Sequence, residues 1–291
     1  MGSGMAGSLR RAGHDVHVYD IRPGVAAAFA EHGGHACATL AELAAACEVI
    51  VSVVVNAAQT EDVLFGPARD GSGCAAQMKP GSTFVMCSTV DPQFSMRMES
   101  ELQALGLHYV DAPISGGAAR AASGEMTMMT AATPDAYART DHLLDAMAAK
   151  VYRLGDRAGA GSKVKIINQL LAGVHIAAAA EAMALGLREG VNPNDLYEVI
   201  THSAGNSWMF ENRMAHVLAG DYTPLSAVDI FVKDLGLVLD TARASKFPLP
   251  LSSTAHQMFM QASTAGHARE DDSAVIKIFP GITLPEGPNK T

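Results

Sequence analysis

What this 291-residue chain lacks narrows it first. No CxxC pair is present: the four cysteines, Cys37, Cys47, Cys74 and Cys87, are scattered through the first third. No His-rich metal spacing accompanies them, so no metal site is expected, and they read as reduced thiols of a cytoplasmic protein. Cys87 reads as small apolar filler. A basic surplus is also missing. The net charge of −9 argues against a nucleic-acid partner, which normally requires a basic face. Local lysines and backbone dipoles still allow an anionic small-molecule substrate. No apolar run near Met1 resembles the core of a signal peptide, so none is expected. The most membrane-like stretch, Leu170 to Leu187, is mostly alanine and carries His175 and Glu181. It reads as a buried helix of a soluble protein, with no membrane partner. Internal repeats and long linkers are absent.

What is present is enough for two modest domains, with nearly half the residues hydrophobic. Short β-branched runs alternate with alanine-rich helical stretches in the first half. Val16 to Tyr19, Val49 to Val55, Thr83 to Cys87 and His108 to Val110 read as strands. Val25 to Glu31 and Leu40 to Ala46 read as helices, and the alternation implies a parallel sheet covered by helices. Thr127 to Thr130 and Lys150 to Arg153 could extend that sheet. From Gly159 a long helix runs to about Glu189, and the rest is helical. Another helix starts at Pro193, with Asn192 as its N-cap. Lys246 to Leu251, with two prolines, reads as a connector, and the tail after Ile282 as loose. The expected domains are residues 1–157, α/β, and residues 158–291, all-α.

Three motifs carry chemistry. Ser115-Gly116-Gly117 follows a strand, and adjacent glycines let a ligand approach backbone N–H groups closely. Gly159-Ala160-Gly161 precedes Lys165 and Asn168, and residues three apart on a helix share a face. The third is a dinucleotide-binding pattern that starts late. Such folds run from a first strand into a glycine-rich turn, a helix, and a second strand ending in an acid. Here Val16 to Tyr19 is the second strand, Asp20 the acid and Ser3 to Ala12 the helix, so Met1-Gly2 falls at the close of the turn. Gly2-Ser3-Gly4 with Gly7 spells the pattern too, but no strand precedes it and Asp20 would follow too soon. The reading is therefore a Rossmann-like domain whose first strand is missing. A start assigned too far downstream, or a trimmed chain, is the expected reason. A native chain whose intact mass begins at Met1 would contradict it.

Together these motifs resemble the β-hydroxyacid dehydrogenase family, which oxidises small hydroxy acids with a nicotinamide cofactor. The resemblance covers Met1 to about Ala265. It implies that Lys165, in G-x-G-x-x-x-K-x-x-N, is the general base. It implies that Ser115, Gly116 and Gly117 clamp the substrate carboxylate and that Asn168 contacts substrate. Val54, Val55 and Thr89, beside Ser88, would lie against the cofactor, with Met1, Gly2 and Asp20. Lys233, followed by Asp234 and shielded by Phe231, would reach the cofactor side. A carboxylate at Asp20 favours NAD over NADP, with Arg22 softening the preference. Ser207, beside Asn206 and Trp208, would shape the pocket, although a lone tryptophan is more often core. His175 reads as a core histidine and Lys163 as a surface lysine.

The strings GEMTMM, AGNSWMFENRM and SAVDIFVKDLGLVLD are most similar to the L-threonate-oxidising branch of the family. That implies NAD-dependent conversion of L-threonate to 2-dehydro-L-erythronate, with Asn168, Asn206, Ser207 and Asp229 available to a polyhydroxylated substrate. The 3-hydroxyisobutyrate dehydrogenases and tartronate semialdehyde reductases are the alternatives. An impaired remnant lacking its first strand is a further one. The long linking helix suggests a homodimer or homotetramer.

Overall fold

In the computed structural model residues 1–286 are described. The chain divides into two units, Met1–Lys165 and Ile166–Thr291. The first begins with α1 (Gly2–Arg11), β1 (His17–Val18), α2 (Val25–Ala30), β2 (His35–Ala36), α3 (Leu40–Ala46) and β3 (Val49–Ser52). It continues with α4 (Ala57–Phe65), β4 (Thr83–Met86), α5 (Pro92–Ala104), β5 (His108–Asp111), β6 (Ile114–Ser115) and α6 (Gly117–Ser123). Last come β7 (Met126–Ala132), α7 (Pro134–Met147) and β8 (Ala148–Arg153).

Local chemistry sets these boundaries. Thr39, Asn56, Asp91 and Thr133 each accept a backbone N–H from the first turn of the helix they precede. Pro92 and Pro134 occupy first helical positions, where a missing N–H costs nothing. The sequence expects a strand through Val55, but β3 stops at Ser52. Gln59 Oε1 accepts the Val55 N–H at 2.8 Å while Asn56 caps α4, so the helix start takes the chain out of the sheet.

Strands β3, β4 and β5 are parallel neighbours, as expected. Strand β4 is buried throughout: Phe84 and Met86 join one core with Leu64, Met98 and Tyr109, whereas Val85 joins another with Met5, Val110 and Met147. A sheet covered on both faces gives such an uninterrupted apolar run. Beyond β5 the parallel expectation fails. Strand β7 runs antiparallel to β5 and to β6, and β8 parallel to β7. Between β5 and β7 lie only the two-residue β6 and the seven-residue α6, and the chain re-enters the sheet reversed. Strands β1 and β2 pair with each other in a separate two-stranded sheet, and among the described residues no strand joins β1 to β3.

Helix α8 (Ala160–Arg188) starts in the first unit and continues into the second, which adds α9 (Pro193–Thr201), α10 (Trp208–Ala219), α11 (Val228–Ser245) and α12 (Pro250–Ala262). By length and composition α8 could cross a membrane, with a mean hydropathy of 1.7, yet half of that window is buried. Its Ile176, Ala180 and Met183 pack with Met214, Leu235 and a stacked Phe231–Phe259 pair. As expected, Asn192 Oδ1 caps α9 through the Asn194 and Asp195 amides. Two expectations are corrected. Pro250 and Leu251 belong to α12, because a proline at the first helical position starts a helix rather than breaking it. Ile282 and Leu284 pack against the helical core, so the tail is not loose there; residues 287–291 lie outside the described residues.

The Arg213 guanidinium is buried and ion-paired with the fully buried Asp272. Removing one partner strands the other charge. Asp272→Ala is expected to cost about 3–5 kcal/mol of unfolding free energy, read by denaturant titration.

Candidate active site

The last residue of β5, Asp111, is fully buried. Its Oδ2 accepts the Gly159 and Ser162 backbone N–H groups at 2.8 and 2.9 Å, and its Oδ1 accepts the Ser162 hydroxyl at 2.7 Å. The carboxylate thus meets the N-terminus of α8, where unpaired amides and the helix dipole favour negative charge. Burial pushes the Asp111 carboxyl up; the Ser162 hydroxyl, the Ser162 and Gly159 amides and the Ser95 hydroxyl pull it back. A second buried acid, Glu99 of α5, accepts the Ala158 N–H at 3.1 Å and pairs with Arg157 at 2.9 Å. Two acids therefore fix the turn from which α8 springs.

The glycines of that turn are required by contact. Gly159 has φ +100, and a Cβ there would lie 2.8 Å from Met96 Cγ. A Cβ on Gly161 would lie 2.3 Å from the Met129 carbonyl oxygen and 3.1 Å from that of Asp111, so α8 begins flush against β5 and β7. Just past it, Lys165 is buried at 6 % exposure, whereas Lys163 is exposed, as read from the sequence. Ser115 ends β6, paired with Thr127 of β7, and is half-buried. Gly116 and Gly117 follow with φ +137 and +76, backbone that L side chains rarely adopt. The Ser-Gly-Gly turn and the α8 turn are thus both built on the β5 to β7 segment.

Expected cofactor residues lie elsewhere in the same unit. Met1 is the N-cap of α1 and makes no side-chain cap bond. Gly2 through Arg11 are helical, which agrees with reading Gly2-Ser3-Gly4 as part of a helix rather than a phosphate loop. Within it, Gly4 is the residue a close approach demands: its Cβ would lie 2.7 Å from the Ala122 nitrogen of α6. Gly2 meets only Val53, at an ordinary 3.6 Å. Asp20 follows β1 and is clasped by Arg22 through its backbone N, Nε and Nη2, at 2.9, 3.0 and 2.9 Å. That Arg22 hydrogen bonding holds the Asp20 carboxyl below the usual range, with partial burial opposing. Past β3, Val54 is half-buried and Val55 exposed; past β4, Thr89 is half-buried. Ser88 laces the two loops, donating to the Val54 carbonyl at 2.9 Å and meeting Thr60 Oγ1 at 3.0 Å. Loops at the carboxyl ends of parallel strands, an acid closing β1 and a helix N-terminus of ten residues without a side-chain cap fit a dinucleotide.

In the second unit, Asn168 Nδ2 donates to Gln169 Oε1 at 3.1 Å, and Gln169 Nε2 donates to Asp234 Oδ2 at 2.6 Å. Lys233 pairs with Asp234 Oδ1 at 2.7 Å. One polar chain therefore joins Asn168 to Lys233, two residues the sequence nominates separately. Ser207 caps α10, accepting the Phe210 N–H at 3.0 Å, and Asp229 accepts the Ser263 hydroxyl at 2.6 Å. Asn206 donates to the Thr201 carbonyl, while its buried Oδ1 meets no hydrogen-bond partner among the described residues. Trp208 is half exposed rather than core, because it sits at the first turn of α10. His175 is half-buried and Phe231 buried. The sequence reading missed the roles of Asp111, Glu99, Ser162 and Gln169. For Asp111 a signal existed: an acid directly after the apolar Tyr109-Val110.

The first unit joins a mixed sheet with a parallel core to loops that fit a dinucleotide, and the second is helical, an architecture shared with nicotinamide-dependent dehydrogenases. Residues 1–155 match the NAD binding domain of 6-phosphogluconate dehydrogenase. Residues 159–279 match the NAD-binding domain of NADP-dependent 3-hydroxyisobutyrate dehydrogenase. L-threonate dehydrogenase of Cupriavidus necator is 67% identical over 98% of this chain and 95% of its own length. L-threonate dehydrogenase of Escherichia coli K12 is 52% identical over 98% and 93%. The crystal structure of 3-hydroxyisobutyrate dehydrogenase from Salmonella typhimurium superposes with a TM-score of 0.90 at 54% identity, covering 96% of both chains. The chain belongs to the β-hydroxyacid dehydrogenase family. It is an NAD-dependent oxidoreductase acting on a small hydroxy acid.

The tie at Asp111 makes two stability predictions. Asp111→Asn sets an amide donor against one of the three donors and should cost about 1–3 kcal/mol. Gly161→Ala forces a backbone clash and should cost about 1–3 kcal/mol. Gly205→Ala, where a Cβ meets nothing within 4 Å, should stay within about 0.5 kcal/mol of wild type. Thermal and denaturant unfolding of the three variants checks this order.

Proposed function

We propose that the substrate is L-threonate, oxidised at C2 to 2-dehydro-L-erythronate. The observation that carries the choice is the high identity, across nearly the whole chain, to proteins named for that reaction. One relative in structure is instead named 3-hydroxyisobutyrate dehydrogenase, and that activity is the second reading.

Oxidation removes a hydride from C2 and a proton from its hydroxyl, leaving a ketone. NAD, when bound, supplies the hydride acceptor. Lys165 takes the proton as a neutral amine, and in reverse its ammonium returns a proton to the carbonyl oxygen. The Lys165 side chain is buried at 6 % exposure, one helical turn from the Gly161 contact with β5 and β7. The substrate carboxylate is read by Ser115 and by the backbone N–H groups of Gly116 and Gly117, whose positive φ values open them to an anion. Asn168 hydrogen-bonds the reacting hydroxyl or the carboxylate. Ser207 keeps its hydroxyl proton available while its oxygen caps α10. On the cofactor side we assign Met1 and Gly2 to the pyrophosphate and Asp20 to the adenosine ribose. Val54, Val55, Thr89 and Lys233 would flank the nicotinamide half. The domain division assigned is residues 1–157 for the cofactor and 158–291 for substrate and oligomer. Exposed Ile167, Leu171 and Leu185 on α8 support a homodimer or homotetramer, and the reading is of a cytoplasmic enzyme.

NADH formation should be fastest with L-threonate, against D-erythronate and 3-hydroxyisobutyrate. Faster turnover of 3-hydroxyisobutyrate would overturn the choice. Lys165→Met should lower kcat by about 10²–10⁴-fold while leaving NAD affinity intact. Unchanged kcat in the variant would remove Lys165 from proton transfer.

A further inference from the structure

A second cluster of ligating side chains lies at the two-stranded sheet. His17 of β1 and His35 of β2 are direct cross-strand partners. Their rings stack with centroids 4.5 Å apart and planes 21° apart. Both present Nε2 to one carboxylate: Asp15 Oδ1 lies 2.9 Å from His35 and Oδ2 3.4 Å from His17. One nitrogen of each ring and one carboxylate oxygen all lie within 4.8 Å of one another. Ligand bonds of about 2.0–2.1 Å in a tetrahedral site put neighbouring donor atoms about 3.3 Å apart. Each histidine nitrogen lies about that far from an oxygen of the Asp15 carboxylate, at 3.4 and 2.9 Å.

We propose that Asp15, His17 and His35 form a binding site for a divalent transition-metal ion. Two imidazole nitrogens and one carboxylate oxygen suit Zn²⁺, Ni²⁺ or Cu²⁺ rather than Mg²⁺ or Ca²⁺, which favour all-oxygen sets. Asp15 and His35 are exposed and His17 is half-buried, so an ion can enter and the remaining coordination positions face water. The other nitrogen of His17, Nδ1, lies 4.0 Å from Cys37 Sγ. No sequence spacing announces the site, since the parallel register alone brings residues 17 and 35 together. Asp20, just past the strand that carries His17, holds Arg22 and takes no part in the set.

The test is calorimetric titration of the chelator-treated full chain with ZnCl₂ and, separately, NiCl₂. Wild type should bind one ion. Asp15→Asn, His17→Gln and His35→Gln should each weaken binding by more than the roughly 10–100-fold typical of losing an outer-shell partner. Metal should raise the melting temperature of wild type but not of the variants. Asp15 and His35 are exposed, so those two variants should keep the metal-free melting temperature even if His17→Gln does not. Cys37→Ser should still bind, which separates this site from thiolate capture. No stoichiometric binding by wild type, or binding that survives Asp15→Asn together with His35→Gln, would overturn the proposal.

Discussion

The Asp111 carboxylate is the contact on which the scaffold of the candidate site rests. Burying it without partners would be costly, and it survives because two backbone amides and a hydroxyl converge on it from the start of α8. Those amides would otherwise be orphan donors of a helix end buried against β5 and β7, so each side satisfies the other's unmet hydrogen bonds. The same short strand run leads on to the Ser-Gly-Gly turn, and the same helix carries Lys165 away from its first turn. Glu99 repeats the device one residue earlier in the turn, at Ala158. The placement of Lys165 thereby depends on two acids that lie outside the motif carrying it.

Elsewhere, polar groups are likewise committed to shaping loops. Ser88 has a hydroxyl of the kind a nicotinamide site uses, yet it stitches the loop after β4 to the loop after β3. Ser207 holds the first turn of α10. In the helical unit, Gln169 and Asp234 bind Asn168 and Lys233 into one run of hydrogen bonds and an ion pair. Residues nominated by their chemistry are thus set in place by neighbours that a motif does not contain.

The central parallel strands were legible because a strand buried on both faces is a short run with no charged residue, as at Thr83–Met86. Leu40–Ala46 and the helix after Asn192 were legible from caps and periodicity. The NAD-binding character and the family were readable from Asp20, the Ser-Gly-Gly turn and the Lys165–Asn168 pair. The reversal at β7 was not, because strand direction depends on how β6 and α6 turn the chain, which composition does not record. Nor was the clamp at Asp111, whose donors lie 48 and 51 residues away. The meeting of His17 with His35 depends on register across β1 and β2, and β2 is only two residues long.

The bond broken in the reaction identifies the oxidised carbon. L-threonate bearing deuterium at C2, incubated with NAD and followed by NMR, tests that directly. Oxidation at C2 predicts that the deuterium appears in the reduced nicotinamide and is absent from the product. Deuterium retained at C2 of the oxidised product would contradict it and place the chemistry at another hydroxyl.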